Sequence, residues 1–276
     1  MKVLSIDIDY AFPTVDEWPD KNNELMSDWH PHTKWFYYFQ KYPHLNSREN
    51  IIDEECLDYL IDTFTKALAA NPNAHVWFGM DHDYILDYLH DKDNIDLINI
   101  DHHDDFLSGC YNNEDDCACD EDFLGTHLLE YYMVKVNHKV DEGNWGAYLH
   151  SQGRLNSMTW IKNVDHQTYY KSRSPVNDFI CEHVGKPCKW TTLLASEYNH
   201  GDYNYDAIFV CLSPAYFPAS QWGLFSIFLA IYEDFTGKSC KLDEFWDQKW
   251  LNRTAYLAPK NAVEKSLIEI KKSFDK

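Results

Sequence analysis

The chain has 276 residues, with 45 acidic against 24 basic side chains and a formal net charge of -21. That balance argues against nucleic acid as a partner, because phosphates would be repelled, and suits a cationic ligand. The length suits one domain with a sizeable core, no stretch reads as a membrane span, and the early charges in Met1-Lys2-Val3-Leu4-Ser5-Ile6-Asp7 are unlike a secretory signal, so a soluble cytoplasmic protein is expected.

Lys2-Val3-Leu4-Ser5-Ile6-Asp7-Ile8-Asp9-Tyr10 reads as a strand ending in two alternating acids. Residues 13–47, rich in Trp, Tyr, His and Pro, read as an irregular insertion near a site. Ile52, Cys56, Leu60, Phe64 and Leu68 form one stripe and predict a helix from Arg48 to Ala70, ended by Asn71-Pro72-Asn73. A second strand, Ala74 to Gly79, runs into Met80-Asp81-His82 and a short helix to Leu89. Asp96-Leu97-Ile98-Asn99-Ile100 is a buried strand that opens directly onto Asp101-His102-His103-Asp104-Asp105. An acidic loop is expected over 108–122, a helix over Phe123 to Val136, and a further helix from Glu142-Gly143-Asn144-Trp145 to about Gly153. Strands are expected at Ser157 to Ile161, Lys189 to Leu194 and Asp206 to Leu212. An apolar helix follows from Ala219 to Phe235, and helix again from Leu242 to the C-terminus with a break at Pro259.

Strands alternating with helices predict an α/β fold: three layers, with a mainly parallel sheet and helices on both faces. No repeat or linker divides the chain, so residues 1–276 read as a single domain with insertions at about 13–47 and 108–122. The 8 cysteines are scattered and read as free thiols. Cys110, Cys117 and Cys119 cluster in the acidic loop but lack the paired spacing of a structural zinc site. Aromatic residues make up 16% of the chain, an excess that suits a groove holding a peptide or stacking a guanidinium.

Ligands of such folds gather at the carboxyl ends of the strands. Asp7 and Asp9, Asp81 and His82, and the Asp101 cluster all fall at that edge. If the backbone stays extended beyond its strand, Asp101, His103 and Asp105 share one face. His82, Asp101, His103, Asp105, Asp7 and Asp9 are therefore candidate metal ligands. Mixed imidazole and carboxylate donors suit Mn(II), Fe(II) or Zn(II) in a two-metal site, which would activate a water for attack on a planar carbon or a phosphorus.

Gly79-Met80-Asp81-His82 resembles the Gly-Gly-Asp-His motif of arginases and related ureohydrolases, and Asp101-His102-His103-Asp104-Asp105 resembles their Asp-x-His-x-Asp motif. Glu142-Gly143-Asn144-Trp145, followed by Met158-Thr159-Trp160-Ile161, resembles a divergent branch that includes peptide arginases. The resemblance covers about Ala74 to Ile161. It implies an arginase-like fold, two Mn2+ per chain with Asp101 as the bridge, and hydrolysis of arginine side chains in a peptide to ornithine and urea. By position and chemistry, Glu142 and Asn144 are candidate guanidinium-binding residues, and His102 or His150 the candidate proton shuttle. The chain departs from the family late on. Where arginases carry a Ser-x-Asp-x-Asp strand, this chain reads Val210-Cys211-Leu212-Ser213-Pro214. The pattern appears instead as Ser5-Ile6-Asp7-Ile8-Asp9, so Asp7 and Asp9 are expected to replace the missing pair.

Other readings compete. The Asp-His-His triplet also resembles the phosphoesterases named for it, although their early His-x-x-x-Asp-x-Asp and late Gly-rich His motifs are absent. An N-terminal strand with Asp-x-Asp resembles aspartyl-phosphate phosphatases, but Tyr10-Ala11-Phe12 lacks their Gly-Thr and leaves the Asp101 cluster unexplained. A different class is a non-catalytic, metal-containing protein that binds a peptide. Nothing in the chain signals an oligomeric state.

Overall fold

Three apolar strands form the middle of the sheet: β1 (Lys2–Asp7), β3 (Ile95–Asp101) and β6 (Ala207–Cys211). Around them lie β2 (His75–Gly79), β4 (Leu155–Lys162) and β5 (Lys189–Leu194). The computed structural model describes residues 1–12, 35, 39–43, 51–103, 105, 143, 145–163, 188–214 and 219–239. All pairings among its 6 strands are parallel, in the order β2-β6-β1-β3-β4-β5. Near-continuous apolar strands are what a parallel sheet covered on both faces requires.

Both faces are covered. Leu4, Ile6, Ile98, Ile100, Ile208 and Val210 point to one side, where they pack with helices α1 (Glu54–Ala70) and α4 (Phe225–Thr236). Phe64 meets Phe228 there, with ring centroids 5.5 Å apart. Val3, Ile95, Leu97, Ala207 and Phe209 point to the other side, against α2 (Leu86–Leu89) and α3 (Trp145–Ser151). The result is the three-layer α/β architecture expected from the sequence. Among the described residues no helix is long and apolar enough to cross a membrane.

Several boundaries differ from expectation. Helix α1 starts at Glu54 rather than Arg48, because the Asp53 side chain accepts the Cys56 N–H and caps it. The expected helix from Ala219 begins as a 3-10 segment, Ala219–Leu224, before α4. Asn71 ends α1 as expected. Cys56, Cys188 and Cys211 are free thiols. The helix expected at 123–136, the loop at 108–122 with its cysteines, the segment from Leu242 onward and most of the 13–47 insertion lie outside the described residues.

Candidate metal centre

Period-two alternation sets the site. On the face that packs against α2 and α3, β1 presents Val3, Ser5 and Asp7, while β3 presents Leu97, Asn99 and Asp101. Ser5 pairs in register with Asn99, and Asp7 with Cys211 of β6. One face of the sheet thus turns from apolar to polar at its carboxyl edge.

The strands stop at the acids. β1 ends at Asp7, and a 3-10 turn, Ile8–Ala11, takes over as Asp7 Oδ1 accepts the Asp9 N–H at 3.0 Å. β3 ends at Asp101, whose Oδ1 accepts the His103 N–H at 2.8 Å. Asp105 then lies at φ 55, in the left-handed region. The extended backbone expected through Asp105 is therefore corrected. An aspartate bonding the backbone two residues on bends the chain there, and turns rather than extension bring His103 and Asp105 back to Asp101.

His82 Nδ1 is the focus of the inner half of the site. It lies 3.1 Å from Asp7 Oδ2, 2.9 Å from Asp101 Oδ2 and 2.9 Å from Asp105 Oδ2. All four residues are buried. The outer half is built from Asp9, Asp101 and His103. His103 Nδ1 is 3.2 Å from Asp9 Oδ2 and 3.9 Å from Asp101 Oδ1. The His103 side chain is 38% exposed, whereas Asp9 and Asp101 are buried. Asp101 belongs to both groups.

Each inner ligand has a neutral partner. Ser5 Oγ is 2.6 Å from His82 Nε2. Asn99 Nδ2 donates to Asp101 Oδ2 at 3.1 Å, and Trp145 Nε1 donates to Asp105 Oδ2 at 2.6 Å. Ser213, held at φ 48 just past β6, donates its hydroxyl to Asp7 Oδ2. These neutral partners stand outside the ligands expected from the sequence. The signal for Ser5 and Asn99 was present: each is a polar residue inside an apolar strand, two positions before an acid and so on the acid's face. Trp145 and Ser213 carried no such signal.

The buried groups act strongly on one another's ionisation. Burial alone would lower the His82 imidazole, yet Asp105 and Asp101 raise it well above its ordinary value. Burial, then Asp7 and Asp101, push Asp9 well up, and burial with Asp101 does the same to Asp105. Burial opposes ionisation of Asp101, but His82 beside it holds this carboxyl well below the usual range. Burial would also lower His103, and Asp9 overrides it upward. Four carboxylates facing two imidazoles in a buried cluster stay unbalanced unless protons or cations enter.

The donors fit divalent cations. Metal–ligand lengths of about 2.1 Å place neighbouring donors of an octahedral shell about 3.0 Å apart. The contacts around His82 Nδ1 have that spacing. His82 Nδ1 and Asp9 Oδ2, one from each half, are buried and make no aligned hydrogen bond. With Nε2 protonated toward Ser5, the Nδ1 lone pair faces the carboxylates, the usual arrangement of a metal-bound histidine. The buried Asp/His groups could therefore hold a metal ion.

The remaining expected residues are placed as follows. His102 is half-buried beside His103, with ring centroids 5.0 Å apart, and its N–H donates to Asp9 Oδ1 at 3.4 Å. His150 is fully buried five residues beyond Trp145 on α3. Five residues of helix rise about 7.5 Å, so it lies away from the Trp145 end that touches the site. Glu142 and Asn144 lie outside the described residues. No family model, curated protein or solved structure matches the chain.

Proposed function

We propose that this chain is a dimetal hydrolase that converts arginine residues in a peptide to ornithine with release of urea. The observation that carries the dimetal reading is the shared carboxylate: Asp101 turns Oδ2 to His82 and Oδ1 to His103, joining two Asp/His groups through one side chain. His82, Asp7, Asp101 and Asp105 would hold one cation, and Asp9, Asp101 and His103 a second. Mn2+ is the proposed ion, with Fe2+ and Zn2+ as alternatives, because the donors mix imidazole with carboxylate and contain no thiolate.

The bound pair would supply Lewis acidity and a water acidic enough to ionise near neutral pH. The chain's own residues do the rest. Substrate would approach from the side of His103, the most exposed of the proposed ligands. His102 beside it, or His150, would carry a proton toward the leaving amine. The acidic surroundings favour a guanidinium over an anionic substrate, in line with the net charge of -21. The guanidino substrate itself rests on the resemblance of the two motifs to ureohydrolases. In the balanced reaction, water adds to the guanidinium carbon, its oxygen leaves in urea, and the side-chain nitrogen departs protonated as the ornithine amine.

The test is incubation of the Mn(II)-loaded chain with arginine-containing peptides. Mass spectrometry should show arginine replaced by ornithine, with urea formed in equal amount. Two bound ions with no ornithine from peptides or free arginine would remove the substrate assignment and leave the metal reading standing.

A further inference from the structure

The inner ligands share one aromatic neighbour. Trp145 is fully buried, its Nε1 donates to Asp105 Oδ2 at 2.6 Å, and its ring lies 4.6 Å from the His82 ring at a 34° tilt. The next residue adds a second tie, as the Gly146 N–H donates to the Asp105 carbonyl at 3.2 Å. One helix end thus grips Asp105 by side chain and backbone and covers a face of His82.

We propose that Trp145 is a positioning residue for the inner metal, setting the orientation of Asp105 and His82 as a pair. The proposal rests on the dimetal reading. Asp105 needs such a hold for two reasons. Its backbone sits at φ 55, a left-handed conformation that residues other than glycine adopt only at a cost. Its carboxylate also faces Asp101 in a buried cluster, and like charges push the two apart. An indole N–H orients the carboxylate without cancelling its charge, whereas a lysine or arginine there would compete with the cation. The same oxygen keeps a second lone pair free to face the space beside His82 Nδ1. The ring restricts rotation of the His82 imidazole, whose far nitrogen Ser5 already holds.

Trp145→Phe keeps an aromatic face and removes the donor. Titration of the metal-free full chain with Mn(II) should show one of two ions bound 10- to 100-fold more weakly, about the usual loss for a partner of a metal ligand. In an Asp105→Asn background the same substitution should have no further effect on affinity. Unchanged Mn(II) affinity in Trp145→Phe, or equal losses in both backgrounds, overturns the proposal. A readout on the unsubstituted chain guards against misfolding of the variant. The indole N–H proton signal, assigned through its proximity to the His82 ring, should move as Zn(II), a diamagnetic ion suited to these donors, is added. A signal unmoved at saturating cation also overturns the proposal. A native chain that binds no divalent cation overturns the dimetal reading and this proposal together, so the two failures are distinct.

Discussion

Asp7 and Asp101 hold matching postures on neighbouring strands. Each accepts the backbone N–H two residues on with Oδ1, at 3.0 and 2.8 Å, and turns Oδ2 toward His82 Nδ1, at 3.1 and 2.9 Å. The shared device ends both strands at the same edge of the sheet and delivers Asp9 and His103 to the outer half of the site. It also shows how an acidic pair at the end of β1 reaches the Asp101 cluster. This strand lies between β6 and β3, directly beside Asp101, while the end of β6 contributes Ser213 as a donor to Asp7.

Because Asp101 serves both groups and Asp9 only one, their removal should differ. Asp101→Ala should lose both ions, and Asp9→Ala should retain one. Each lost site should weaken by more than about 100-fold, since a ligand matters more than its hydrogen-bonded partner. Elemental analysis after desalting counts the ions, and two retained in Asp101→Ala would refute the bridge.

The metal-free fold should respond in the opposite sense at Asp9. Burial and the neighbouring Asp7 and Asp101 disfavour its ionised form despite the attraction of His103. Asp9→Asn should therefore stabilise the chain in excess chelator by about 1 kcal/mol, while reducing the stabilisation gained on adding Mn(II). Paired urea denaturation curves with and without metal measure both effects. A chelated variant less stable than the chelated parent would contradict the charge-imbalance account.

Gly79 ends β2 where no side chain fits. A Cβ there would lie 2.7 Å from Tyr84 Cβ and 2.8 Å from Phe209 Cζ. Phe209 is fully buried, and its ring lies 5.7 Å from that of His82. Gly79→Ala should cost about 1–3 kcal/mol of stability and weaken metal binding through His82. Thermal unfolding and Mn(II) titration check it, and a neutral effect on both would show that Phe209 has room to yield.

His200 should impose an acid-side loss of stability independent of the metal site. Burial lowers its imidazole from 6.5 to about 4, with Lys2 and Lys66 adding to the shift and Asp62 opposing it. Its ring nitrogens lie 2.8 Å from the Tyr59 hydroxyl and 2.6 Å from the Tyr205 hydroxyl. The unfolded chain takes up this proton as pH falls through 6.5, and the folded chain does not until about 4. Stability should therefore fall with pH across that window, by at most about 1.4 kcal/mol per unit, and level off below it. The difference in unfolding free energy between the native chain and His200→Gln isolates this contribution. A difference constant from pH 4 to 7 would exclude it.

The alternation of apolar and polar residues along the chain by itself determined the parallel α/β architecture and the edge at which acids and histidines gather. Strand identity depends on local periodicity, and the parallel topology sends every strand end to the same side, so Asp7, His82 and Asp101 were legible without coordinates. Tertiary structure alone decided how they divide. Strand order put β1 next to β3, side-chain-to-backbone turns replaced the extended path expected beyond Asp101, and the long-range contacts of Trp145 and Ser213 joined the ligands from distant positions. Those pairings depend on which elements become neighbours, and local sequence patterns carry no record of contacts made across the fold.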